Sequence, residues 1–264
     1  MKFSIIILCL IINIIICFGI PIGYLIYLIM NKRSGLKSFF IGILVFLISQ
    51  VFLRIPIIQH ILPKIDWYNT MTAFYPIIYC IFLGITAGLF EEIGRFLGFK
   101  LALKKKRSWF DGISFGIGHG GIEAMIISGV ASIQNLLILI SLHKGSYDAS
   151  KFGISEEKIR EMFKAVTGMD VLLGGIERIF AISLHVGLTL LVLYGINKKK
   201  KIYLWLAILI HGSIDAVVGI LPTLGFNVYV VELWCGICAI ALLIFSIKIR
   251  YKFKGDVYKN EEII

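Results

Sequence analysis

The chain has 264 residues, 58% of them hydrophobic, and a formal net charge of +11. Soluble domains sit near about 45–50% apolar, and several windows here exceed the ~20 apolar residues that cross a hydrocarbon core of ~30 Å; a water-soluble fold is excluded. The charge taken alone would suit nucleic acid. Its placement in short runs between apolar stretches instead fits positive-inside loops against anionic headgroups, so membrane lipid, and no nucleic acid, is the implied partner.

Seven spans are predicted in one polytopic domain covering residues 1–264, an all-α membrane protein whose helices form a single bundle around a buried polar site. The spans run roughly over 4–30, 38–53, 74–99, 109–142, 170–196, 202–221 and 226–247. The first follows Lys2 and is too long for the apolar core of a signal peptide, so it reads as a retained helix. The second is short, and 55–62 can extend it beyond a break at Pro56.

Basic runs at 31–37, 100–107, 197–201 and 248–259 follow spans one, three, five and seven, and the intervening loops carry little net charge. Alternate crossings put these runs on one side. The expectation is therefore a multi-pass protein of the cell membrane with its N-terminus outside and its C-terminus cytoplasmic. In the longest outer loop Ser155 is a suitable N-cap before Glu156 and Glu157. Ile159, Met162, Phe163 and Val166 then recur at helical spacing. They predict an interfacial amphipathic helix, either an anchor or a lid.

Ionisable groups are costly in a bilayer and usually face a cavity or a partner. Away from their ends the spans hold eleven: Glu91, Glu92, Arg95, His119, Glu123, Glu177, Arg178, His185, His211, Asp215 and Glu232. Counting inward from the basic ends at ~1.5 Å per residue, Glu91 lies about 12–14 Å deep, His119 about 15 Å, His185 about 16 Å and His211 about 14 Å. Four helices thus deliver a polar group to nearly one level. Helical spacing adds the pairs Glu91–Arg95, Glu92–Arg95, His119–Glu123 and His211–Asp215, and also aligns Arg178 with His185. Glu177, Arg178 and Glu232 fall nearer the outer face, where Glu232 can snorkel outward.

Other candidates have plainer explanations. His60 and His143 sit at span ends, and Trp67, Tyr68, Trp109, Tyr203 and Trp205 sit where interfacial aromatics collect. Cys235 and Cys238 form a CxxC inside an apolar helix without a second pair, so they read as small packing residues.

The strings Glu91-Glu92-Ile93-Gly94-Arg95, Phe115-Gly116-Ile117-Gly118-His119 and His211-Gly212-Ser213-Ile214-Asp215 stand on separate spans. In that order they resemble the motifs of the CPBP superfamily of intramembrane proteases, related to type II CAAX prenyl endopeptidases. The strings His119-Gly120-Gly121-Ile122-Glu123 and Glu177-Arg178 with His185 resemble its YhfC-type branch of membrane peptidases. Two departures are visible. The arginine follows the first glutamate by four positions where the superfamily has five, and position 215 is Asp where the prenyl endopeptidases have Asn. Asp215 must then be protonated, orient His211 or bind something else.

The resemblance implies an endopeptidase acting on a membrane-embedded or lipid-modified peptide. Its catalytic group would be Glu91, Glu92, Arg95, His119, His185, His211 and Asp215. Glu91 would be the base for a water held with His119, and His211, with Asp215, would stabilise the oxyanion. Glu92 and Arg95 would set the charge balance, and Glu123 would orient His119. Phe115, Glu177 and Arg178 complete the surroundings. No cofactor is required in this glutamic scheme. A metal variant would hold zinc with His119, His185, His211 and Glu91, although the chain has no HExxH. Intramembrane His and Glu also suit a proton-coupled transporter or a haem site, and the superfamily contains non-catalytic bacteriocin self-immunity factors.

Overall fold

The computed structural model describes residues 2–261 and contains helices and no strand among them. Ten helices follow in order: α1 (Lys2–Met30), α2 (Leu36–Lys64), α3 (Asp66–Phe74), α4 (Pro76–Ala102), α5 (Trp109–His143), α6 (Ala149–Phe152), α7 (Glu156–Ala165), α8 (Gly168–Asn197), α9 (Ile202–Thr223) and α10 (Val228–Glu261). Seven of them, α1, α2, α4, α5, α8, α9 and α10, are long and apolar enough to cross a membrane. This is a multi-pass membrane bundle. Large apolar side chains such as Leu8, Phe52, Leu209 and Ile247 are exposed on its outside, as lipid contact requires. From residue 254 onward the basic run 248–259 lies outside the described side chains.

The predicted spans are all present, and α2 differs most. It does not stop at 53 but continues as one helical rod through Pro56 to Lys64. Proline lacks the N–H that an α-helix needs. Wide π-type turns at Leu47–Arg54 and Ile57–Ile61 lie on either side of it and absorb the misfit. Similar turns follow the polar residues of α4, at Gly98–Ala102, and of α5, at Met125–Gly129.

Close helix contacts are made through glycine, where a Cβ has no room. A Cβ on Gly84 would stand 2.3 Å from the Gly212 carbonyl oxygen, so α4 and α9 meet backbone to backbone. A Cβ on Gly118 would stand 2.1 Å from the Phe39 carbonyl, which seats α5 on α2. The two helices that carry His119 and His185 both begin with a capping box, Ser108–Asp111 on α5 and Thr167–Asp170 on α8, satisfying backbone donors at the start.

α7 starts after the N-cap Ser155, as its sequence predicts. Ile159 is buried with Ile6, Leu10, Leu139 and Leu142, and Arg160 Nη2 donates to the Leu142 carbonyl at 3.1 Å. The helix is therefore an anchor across the ends of α1 and α5, and none of its residues lines the cavities described below. His60 and His143 are exposed at helix ends. All five cysteines carry free thiols.

Candidate active site

Helix α4 supplies the centre. Glu91, Glu92 and Arg95 are buried, with Glu92 and Arg95 at zero exposure. Glu91 Oε1 accepts from Gln50 Nε2 on α2. Its other oxygen, Oε2, lies 2.9 Å from His119 Nε2, 3.8 Å from His185 Nδ1 and 3.9 Å from His211 Nε2. One carboxylate oxygen thus faces imidazoles from α5, α8 and α9. The four groups expected at one depth do converge.

The surrounding hydrogen bonds orient these rings. His185 Nε2 lies 2.6 Å from Glu123 Oε2. An ionised carboxylate only accepts, so Nε2 carries the hydrogen and the Nδ1 lone pair faces Glu91 and Arg95 Nη2, the latter at 3.1 Å. His211 Nδ1 lies 2.8 Å from Glu92 Oε1, which by the same argument turns an unprotonated Nε2 inward. Arg95 Nη1 also pairs with that Glu92 oxygen. Glu123 Oε1 continues outward to Arg178 Nη1 at 3.3 Å, and Arg178 Nη2 pairs with Glu177. His119 packs against the ring of Phe115, with centroids 6.2 Å apart, and edge-on to Phe46 at 5.4 Å.

Two expectations, for Glu123 and for Glu232, are corrected by this geometry, and two are made specific. Glu123 orients His185, not His119, because α5 turns the two residues towards different neighbours. Of the two pairings that helical spacing allows Arg95, it takes Glu92 at i+3 and leaves Glu91 to the histidines. Arg178, expected among the surroundings of the site, joins it through Glu123, which connects it to His185. Glu232 does not snorkel: its Oε2 is buried without a hydrogen-bond partner among the described residues. One turn further along α10, the Phe180 ring of α8 lies 3.3 Å from the Cβ position of Gly236, so this face of the helix turns inward.

Two residues absent from the sequence reading belong to the site. Gln50 holds Glu91, and Arg54 fixes Gln50 by donating to its Oε1 at 3.0 Å. Arg54 is itself held by Thr86 Oγ1 and the Leu83 carbonyl on α4. The available signal was a lone glutamine in an apolar span with an arginine one turn on.

Cavities of about 270 and 180 Å³ open beside this centre and share Glu91, Glu123, Ile127 and Asp215 in their walls. Asp215 is the accessible acid: its side chain is 42% exposed, with Oδ2 3.5 Å from His211 Nε2. The donor set fits a zinc ion. Glu91, His119 and His185 each offer a ligand atom, all within 4.8 Å of one another, and oxygen and imidazole nitrogen are usual zinc donors. His185 and His211 also have the carboxylate behind the ring that metal-bound histidines usually have. His119 departs, because its buried Nδ1 has no hydrogen-bond partner among the described residues.

Fold and site together define a polytopic membrane protein with a buried Glu/His centre able to hold a metal. The chain belongs to the YhfC family: residues 16–235 match the family model described as YhfC intramembrane metalloprotease. That description supports a membrane protease. A relative in Bacillus subtilis (strain 168), the uncharacterized membrane protein YhfC, is 32% identical over 200 residues, which is 74% of this chain and 77% of the relative. No solved structure matches the chain.

Proposed function

We propose that the whole chain is one intramembrane endopeptidase domain that cleaves a membrane-presented peptide at a zinc centre held by Glu91, His119 and His185. The observation that carries this reading is the single Glu91 oxygen facing three imidazoles beside two cavities. Bound there, zinc supplies a water that ionises near neutrality and a Lewis acid for the scissile carbonyl. The chain's own residues do the rest. Glu123 and Glu92 hold the tautomers of His185 and His211. Gln50 keeps one Glu91 oxygen occupied so that the other faces the histidines. His211 Nε2 faces the cavity and could donate to the carbonyl oxygen once it takes up a proton, with Glu92 on Nδ1 stabilising the imidazolium. Asp215 sits at the cavity wall, where it can accept or return a proton. The apolar remainder of the walls excludes bulk water and receives the peptide.

One observation favours a second reading within the same fold. His119 Nε2 and Glu91 Oε2 are already within direct hydrogen-bond distance, which suits a glutamate that holds and deprotonates water with no metal, as the likeness to the CPBP superfamily implies. Metal analysis of the purified chain, together with cleavage of a transmembrane reporter in proteoliposomes, decides between them. We expect stoichiometric zinc, loss of cleavage on chelation and recovery with zinc. Cleavage by metal-free protein that still requires Glu91 would select the glutamic scheme. Full cleavage by both Glu91→Gln and His119→Ala would end both. With the basic loops cytoplasmic, the N-terminus lies outside; a reporter fused to the C-terminus should therefore be active only in the cytoplasm.

A further inference from the structure

The loops after α4 and α8 enclose another cavity, of about 780 Å³, that shares no wall residue with the cavities at Glu91. Its inner wall is apolar, with Phe96, Val192 and Leu204. Its rim is cationic: Lys100 comes from the last turn of α4, Lys104, Lys105 and Arg107 from the loop after it, and Lys199, Lys200 and Lys201 from the loop after α8. The single acid in the wall, Asp111, is already engaged by Ser38 Oγ at 2.8 Å and by the Ser108 amide and hydroxyl at the start of α5. Among the described residues none of the seven rim cations pairs with a carboxylate, and the buried Nε of Arg107 has no partner.

The rim is also held in place. Asn197 Nδ2 donates to the Arg107 carbonyl at 3.1 Å, tying the two loops together. α8 ends in a Schellman turn, with Lys200 N bonded to the Gly195 carbonyl and Lys199 N to that of Ile196. The left-handed position of that turn is Lys199, at φ 56°. Glycine is usual there, because a Cβ meets the carbonyl in this conformation. The chain accepts that strain and keeps a cation at the cavity mouth.

We propose that this cavity is a binding site for the phosphate of an anionic phospholipid, with the lysine and arginine rim on the headgroup and the Phe96–Leu204 wall against its glycerol and upper acyl chains. The apolar wall at the ends of spanning helices favours a lipid over free phosphate. A diffuse positive surface would not need the apolar wall; the left-handed lysine is not special to this cavity, since Lys32 adopts the same conformation, at φ 48°, at the end of α1.

The test is binding of fluorescent phosphatidylglycerol to the full chain in detergent, followed by competition. We expect saturable binding that is displaced by unlabelled phosphatidylglycerol and not by phosphatidylcholine or millimolar inorganic phosphate. The triple variant Lys199→Gly, Lys200→Gln, Lys201→Gln should bind roughly tenfold or more weakly, since each surface lysine contributes appreciably to anionic-lipid attraction. Its glycine relieves the left-handed strain, so an unchanged melting temperature shows that the loss is not unfolding. A control with the same charge loss on another basic loop, Lys32→Gly, Arg33→Gln, Lys37→Gln, should bind within about twofold of wild type, because those side chains do not line the cavity. Equal weakening in both triples would overturn the site in favour of general surface potential. Displacement by inorganic phosphate as effective as by the lipid would overturn the lipid source.

Discussion

Glu123 offers the sharpest test of the centre, because it touches the proposed metal site only through His185. Its Oε2 is 2.6 Å from His185 Nε2 and its Oε1 is 3.3 Å from Arg178 Nη1. Glu123→Gln keeps the volume but replaces one acceptor by a two-hydrogen donor. If the amide oxygen faces His185, the NH₂ confronts the Arg178 guanidinium. If the amide is flipped, the NH₂ confronts the N–H of His185. Either way a charge-assisted bond worth about 1.5–3 kcal/mol is lost, and the ring is freed to present the wrong tautomer. Loss of such a partner typically weakens metal binding by about 10–100-fold, or about 1.4–2.8 kcal/mol. Zinc affinity of the purified chain, measured by competition with a chromophoric chelator, reads this directly. Affinity within twofold of wild type, alongside complete loss in His185→Ala, would refute the claim that Glu123 sets the ring.

Three further outcomes follow from other contacts. Gln50→Leu removes the amide that occupies Glu91 Oε1 and leaves Arg54 without its side-chain acceptor on α2; cleavage of the membrane reporter should fall by about tenfold or more, the scale of a lost hydrogen bond that leaves a buried partner unsatisfied. Gly118→Ala places a methyl group 2.1 Å from a backbone oxygen, and the strain of overpacking should cost about 1–3 kcal/mol, seen as a lower melting temperature with zinc stoichiometry retained. Arg178→Leu leaves Glu123 with His185 alone and Glu177 without its cation; reporter cleavage should fall while Gly153→Ala, a change in the outer loop, alters stability without changing zinc affinity.

How much of this was legible in the chain depends on which coordinate is asked for. Height along a spanning helix changes by ~1.5 Å per residue, whereas azimuth turns by ~100° per residue. A boundary wrong by two residues therefore shifts a side chain ~3 Å in depth but can turn it to the opposite face. For this reason the common level of Glu91, His119, His185 and His211 was readable, whereas that they turn towards one another is seen only in the structure. Pairings between helices were not readable on the same basis. Glu123 shares a face with His119 in a helical projection, yet its partner is His185, because the glycines of α5 let α8 approach there: the Cβ position of Gly120 lies 3.0 Å from the ring of His185. Gln50 and Arg54 were hidden by a different cause. Pro56 suggested a break, so the polar residues just before it read as the end of a span and not as a wall of the site.

The same contrast bears on what the centre is for. A structural tie between helices needs one acid and one base, matched and closed. Here a single acid oxygen faces three bases, two of those bases have acids behind them, and the accessible acid, Asp215, stands at a cavity. Burying so many ionisable groups is costly unless each is paired, and Arg95, Gln50 and Arg178 provide pairing around the periphery. The inner positions that remain face one another: the Oε2 of Glu91 and the inward Nε2 of His211, with His185 Nδ1 shared between Glu91 and Arg95 Nη2. Donors arranged so that their lone pairs converge repel unless something positive lies between them, a proton or a metal ion. A proton on His119 or a zinc ion at the centre each satisfies that requirement, and zinc content measured on the same preparation that cleaves the reporter tells which one the chain uses.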